Sequence, residues 1–166
     1  MSKFTTIDPI GAILQEADLI TSSQLEIALN DQAYYEGMRL GEILTLRSWI
    51  KQDTANFFVQ DWSKLINRKI ERPIGFYLNK AGLISKTDIE IILREQRVNP
   101  LLFGEIAIEK GLLKPSTVNF FVQNLCSRQL AQSDKNMKTR EKRDRKITKE
   151  DMTYWAKRSL VNLAYS

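Results

Sequence analysis

Few residues in this chain could do chemistry. There is no histidine, which removes a Ser-His-Asp triad, a His-ligated metal centre and the commonest general base. The single cysteine, Cys126, can neither close an internal disulfide nor assemble a zinc cluster. A lone thiol fits a reducing compartment. The seven glycines, Gly11, Gly37, Gly41, Gly75, Gly82, Gly104 and Gly111, include none set in G-x-x-x-x-G-K-[ST] or G-x-G-x-x-G, so no phosphate-cradling loop is written. Carboxylate-only catalysis remains possible on paper. The expectation is a non-enzyme with no catalytic residue, no metal site and no cofactor.

Bulk properties bound the setting. At 166 residues, 43% hydrophobic and 27% charged, the chain has globular proportions. No apolar run approaches the roughly 18 residues a membrane span needs. The opening "MSKFTTIDPIGAIL" lacks the basic, apolar and small-residue order of a signal peptide. The expected location is cytoplasmic. The net charge of +5 is concentrated in "KNMKTREKRDRKITK" at 135–149, so the basic signal belongs to one segment and the rest is near neutral.

The elements that position these residues are repeated. Asn-Phe-Phe-Val-Gln occurs at 56–60 and again at 119–123. In that register 40–60 lies over 103–123, and upstream 9–32 lies over 73–96. The chain reads as a duplication. Each copy is doubled again: Gly11, Gly41, Gly75 and Gly104 each begin a unit of about 24 residues. Each unit then carries an apolar pair: Leu19-Ile20, Trp49-Ile50, Leu83-Ile84 and Leu112-Leu113.

One unit reads as a helical hairpin. Ile10, Ile13, Leu14 and Ala17 share one helix face, and Leu25, Ala28, Leu29 and Gln32 repeat the spacing. Thr21, Ser22 or Ser23 can cap the second helix, as can Ser85 with Asp88 three positions on. Pro115 suits a helix start, and Gly82 and Gly111 suit left-handed helix ends. Phe57, Phe58 and Val59, like Phe120, Phe121 and Val122, are adjacent, so one helix must bury two faces. Such hairpins cannot cover their own apolar stripes and must pack on one another. The expected fold is all-α. It comprises lobes at 1–68 and 69–130, a basic solvated linker at 131–146 and an amphipathic helix at 147–166.

"MRLGEILTLRSWIKQDTANFFVQ" and "PIGFYLNKAGLISKTDIEIILREQ" carry a distinctive order of R-L-G start, internal Gly, spaced leucines and closing Gln. This resembles the N-terminal, MshEN-like domain of type II secretion and type IV pilus assembly ATPases, here as two tandem degenerate copies over roughly 9–130 without the ATPase domain. Some members of that family bind cyclic di-GMP. The resemblance implies that an arginine and backbone amides at each start clasp guanine and phosphate. The positions that match are Arg39, Leu40 and Gly41, with Arg72 one place early. The other three starts present Pro9, Pro73 and Leu102 where an arginine is expected. The closing Gln is kept as Gln32 and Gln96 and replaced by Trp62 and Leu125. A ligand with two guanines and two phosphates needs cationic contacts in symmetric places, so tight cyclic di-GMP binding is not expected.

After Leu130 the sequence turns polar and basic. "ITKEDMTYWAKRSLVNLAYS" then sets Met152, Trp155, Leu160 and Leu163 on one helical face, with Tyr154, Lys157 and Arg158 beside it. Three readings stand: the helix covers a lobe of its own chain, it docks into a partner's groove, or it lies on an anionic membrane surface. Nucleic-acid binding is disfavoured, because the leash has no interleaved aromatics and its acids dilute the charge. The functional expectation is a protein-binding adaptor or regulatory module of a larger cytoplasmic assembly, and by resemblance a secretion or pilus motor. Its partner-binding residues are Met152, Tyr154, Trp155, Lys157, Arg158, Leu160 and Leu163. The alternative is a small-ligand sensor binding cyclic di-GMP or a related nucleotide at Arg39, Leu40, Gly41 and Arg72.

Overall fold

The structure, a computed structural model, describes residues 9–68 and 71–126. They belong to one unit and are all-α, with no strand among them. In the first half of the sequence lie α1 (Ile10–Glu16), α2 (Ser22–Tyr34), α3 (Leu40–Leu46) and α4 (Gln52–Asn56). Helix α4 runs on without a break through a π-helical turn, Phe57–Asp61, into α5 (Trp62–Ile66). The second half holds α6 (Ile74–Lys80), α7 (Lys86–Gln96), α8 (Phe103–Glu109) and α9 (Pro115–Leu125).

Local chemistry accounts for most of the boundaries. Thr21 is the cap chosen from its three candidates. It accepts from the Gln24 N–H at 3.1 Å, and Gln24 Oε1 accepts from the Thr21 N–H at 2.8 Å. Ser85 and Asp88 close the same reciprocal box on α7. Pro115 opens α9 at its first turn. Gly82 and Gly111 are left-handed, each with φ of 69°. Asp18 and Ser48 take the corresponding places after α1 and α3 with φ of 56° and 57°, a conformation that costs a residue with a Cβ about 1–2 kcal/mol. All four ends then close with the same 6→1 bond: Leu19, Trp49, Leu83 and Leu112 donate to the carbonyls of Leu14, Leu44, Leu78 and Ala107 at 2.9–3.0 Å.

Two face assignments need correction. Leu29 was expected on the core side of α2, but it is half exposed, while Leu25 and Ala28 face inward. Val59 was expected to be buried with its two phenylalanines, and it too is half exposed. Phe57, Phe58, Phe120 and Phe121 are all buried. They join Trp62 in one aromatic cluster within a core drawn from both halves.

The halves are fastened at their seam by bonds that recur at corresponding positions. Thr54 Oγ1 donates to the Ala81 carbonyl, and Thr117 Oγ1 to the Ala17 carbonyl, both at 2.8 Å and both buried. Lys51 Nζ donates to the Gly82 carbonyl at 3.0 Å, and Lys114 Nζ to the Asp18 carbonyl at 3.1 Å. Asp18 uses its side chain as well, accepting from Ser116 Oγ and Lys114 Nζ. The Ser116 hydroxyl first, and then the Lys114 ammonium, hold its carboxyl below the usual value of 3.8.

Candidate functional site

Arg39 stands just before α3, and its N–H donates to Glu42 Oε2 at 2.7 Å. This bond ties Glu42 back to the helix start and leaves the guanidinium of Arg39 facing solvent, with no partner among the described residues. The backbone before it is held by the second helix: Gln32 Nε2 donates to the Met38 carbonyl at 3.2 Å. The corresponding Gln96 donates to the Leu101 carbonyl at 3.3 Å. Both closing glutamines therefore brace the start of the next helix.

Arg39, Gly41 and Glu42 form one wall of a cleft of about 170 Å³ whose other wall is Gln52, Ala55, Asn56, Val59 and Gln60. Gly41 leaves this wall open. A Cβ there would meet nothing nearer than Ala55 at 3.5 Å, whereas one at the corresponding Gly104 would lie 2.6 Å from Val118. Gln52, Asn56 and Gln60 set three carboxamides along the opposite wall, and Gln52 Nε2 donates to Asn56 Oδ1 at 3.0 Å. The π turn carries Val59 and Gln60 into this wall. Such turns recur where helices carry function. The cleft thus offers the Arg39 cation, the Glu42 carboxylate, the neutral donors and acceptors of three carboxamides, and the apolar Ala55 and Val59. It can hold a small polar or anionic group beside the Arg39 guanidinium.

The residues expected from the sequence do not all meet here. Arg39 and Gly41 line the cleft. Leu40 turns its side chain the other way, toward Gly11, where a Cβ would lie 3.1 Å from Leu40 Cδ2. Arg72 is not among the lining residues. Its guanidinium lies over the Phe76 ring at 5.4 Å, its N–H donates to Tyr77 Oη at 2.8 Å, and its carbonyl accepts from Cys126 Sγ. The three carboxamides were missed because their sequence pattern is that of an ordinary polar helix face. Met152, Tyr154, Trp155, Lys157, Arg158, Leu160 and Leu163 lie outside the described residues, as do the linker at 131–146 and the helix expected at 147–166.

A second feature lies on α2 and α7. Ile27 and Leu29 are 41% and 50% exposed, and the corresponding Ile91 and Leu93 are 42% and 50% exposed. Between them Ala28 and Ile92 are fully buried. Among the described residues no His/Cys/Asp/Glu group could hold a metal, and no helix is long and apolar enough to cross a membrane. Burial pushes the Cys126 thiol up to about 12, with the Glu71 carboxylate adding to the shift, so it stays protonated at neutral pH.

No family model matches the chain, and no solved structure matches it. The chain is similar to an uncharacterized protein of Picosynechococcus sp., at 41% identity over 119 residues. The aligned stretch is 72% of this chain and 65% of the relative, so the chain spans just under two thirds of the length of the curated relative it matches. The match is longer than either half and takes in parts of both.

Proposed function

We infer that this chain is a non-enzymatic, protein-binding adaptor or regulatory module. It is built as two duplicated MshEN-like lobes and docks onto a larger assembly through its helical faces and its C-terminal segment. The observation that carries the reading is the recurrence of Ile27 and Leu29 on α2 as Ile91 and Leu93 on α7. Single exposed aliphatics are ordinary on any surface. The same pair left outside the core at corresponding positions of both halves is what two copies of one docking face would present. By resemblance, the assembly is a secretion or pilus motor. Trp155 adds a large aromatic anchor of the kind that dominates interfaces.

The test is affinity capture with quantitative mass spectrometry, comparing wild type, Ile27→Ser/Ile91→Ser and Trp155→Ala, with a thermal melt of each. A specific partner should be captured at least tenfold less by the variants, with the melting temperature unchanged. Capture indifferent to both variants would overturn the adaptor reading.

One observation favours a second reading, a small-ligand sensor: Arg39 has no ionic partner among the described residues and stands over a cleft lined by carboxamides. Leu102 and Pro115 replace Arg39 and Gln52 at the corresponding positions, so a symmetric clasp for cyclic di-GMP is incomplete. Titration calorimetry should give no dissociation constant in the micromolar range or tighter. Binding at that level, lost in Arg39→Ala, would promote the sensor over the adaptor.

A further inference from the structure

Several contacts between the halves have a counterpart with the roles of the halves exchanged. Thr54 reaches Ala81 and Thr117 reaches Ala17; Lys51 reaches Gly82 and Lys114 reaches Asp18. The four phenylalanines of the aromatic cluster pair in the same way. Phe57 stacks on Phe121 at 5.9 Å and Phe58 meets Phe120 at 6.4 Å. Phe58 and Phe121, corresponding residues of the two copies, touch each other edge to face at 6.2 Å. A contact between a residue and its own counterpart is the mark of a two-fold axis, and a seam reproduced in both directions is isologous, the geometry of a homodimer.

We propose that the seam between the halves is a homodimer-type interface joined within one chain, and that its second partner is another copy of this chain, reached by exchanging halves. The exchange needs no new surface. A second half supplied by a neighbouring chain presents the same Thr117, Phe120 and Phe121 to the same Ala17, Phe57 and Phe58. What keeps the pairing within one chain is the connection from Asn67 to Pro73, short enough that the effective concentration of the tethered half exceeds that of any free one. Shortening that connection removes the advantage and turns the same contacts outward.

The experiment uses the full chain in two forms. In the first, three residues of the 67–73 connection are deleted, and the mass is read by gel filtration with light scattering. A folded particle of two chains is expected, and a folded single-chain particle overturns the proposal. The second form carries a protease site in the same connection and is cut after folding. Its two fragments should stay together in a particle of one chain's mass. Two differently tagged cut samples, unfolded together and refolded, should yield particles carrying both tags. Fragments that part on cutting, or refolded particles that never mix tags, overturn the proposal even where the deletion variant fails to fold.

Discussion

Residues 56–60 and 119–123 are the same five amino acids, and they form two kinds of helix. In α9 the run is ordinary α-helix, and the chain closes it with Cys126 donating to the Val122 carbonyl at 3.0 Å. In the first half the run enters a π turn, and Trp62 donates to the carbonyl of Phe57, five residues back. The wider turn sets residue 62 under residue 57. It lets Trp62 stack on Phe120 at 5.0 Å and 14° while Phe57 keeps its own stack on Phe121. The corresponding Leu125 is smaller, fills its buried place from a regular helix, and demands no such adjustment. The difference is set by the side chain two places beyond the run and by the ring it meets across the seam. Val59 and Gln60, which lie in the π turn, line the Arg39 cleft.

The sharpest way to break the comparison is to empty its centre. Phe58→Ala and Phe121→Ala should each destabilise by roughly 3–5 kcal/mol, the range for a buried Phe cut to Ala, as read by urea melts. The double variant should lose less than the sum, because the two rings touch. A loss under about 1 kcal/mol for both singles would show that the cluster does not hold the halves.

Trp62→Leu tests whether the tryptophan imposes the π turn. It gives the first copy the residue of the second and should cost roughly 2–4 kcal/mol, given the aromatic volume removed. Amide exchange or a crystal structure should then show the i→i+5 bond at residue 62 replaced by an i→i+4 bond. A π turn that persists unchanged would place its cause elsewhere in the first half.

Thr54→Val and Thr117→Val sharpen the symmetry. Each deletes a buried hydroxyl and leaves a seam carbonyl without its donor, at a cost of about 1–3 kcal/mol. The two should agree to within a few tenths of a kcal/mol, and a large inequality would mean that the two ends of the seam carry different loads.

The smallest effects separate the two left-handed positions that lack glycine. Ser48→Gly should stabilise by up to about 1 kcal/mol by relieving the φ of 57°, less the chain entropy that glycine adds. Asp18→Gly should gain nothing, because it also surrenders Ser116 and Lys114. Asp18 is lowered in the folded state from 3.8. The stability it contributes is therefore fully present above the unfolded value and is lost as pH falls through the lower folded value. The difference in urea midpoint between wild type and Asp18→Asn should shrink across that acid window and stay constant from pH 5 to 7. A difference that persists below the window would assign the effect to hydrogen bonding that the asparagine cannot supply.

By itself the sequence determined the all-α class, the helix starts at Ser85 and Pro115, and the left-handed ends at Gly82 and Gly111, and it narrowed the cap of α2 to Thr21, Ser22 or Ser23. It also marked Phe57, Phe58, Phe120 and Phe121 as core. Local rules suffice for these: side-chain caps within three residues, the missing N–H of proline, the freedom of glycine and apolar spacing. Arg39 and Gly41 were singled out in the sequence only through the R-L-G start of the family resemblance, and they line one cleft. Gln52, Asn56 and Gln60 were not legible, because a polar helix face looks alike whether it faces bulk water or a cleft. Left-handed Asp18 and Ser48 were not legible either, since their conformation is imposed by the 6→1 bond that closes each helix. Only the tertiary structure decided which way Leu29 and Val59 face and which of two identical pentapeptides takes the wider turn. The i→i+4 and i→i+5 patterns each give the backbone its hydrogen bond, so the choice passes to the side chain with most to gain from burial. Here that is the indole of Trp62 against Phe120.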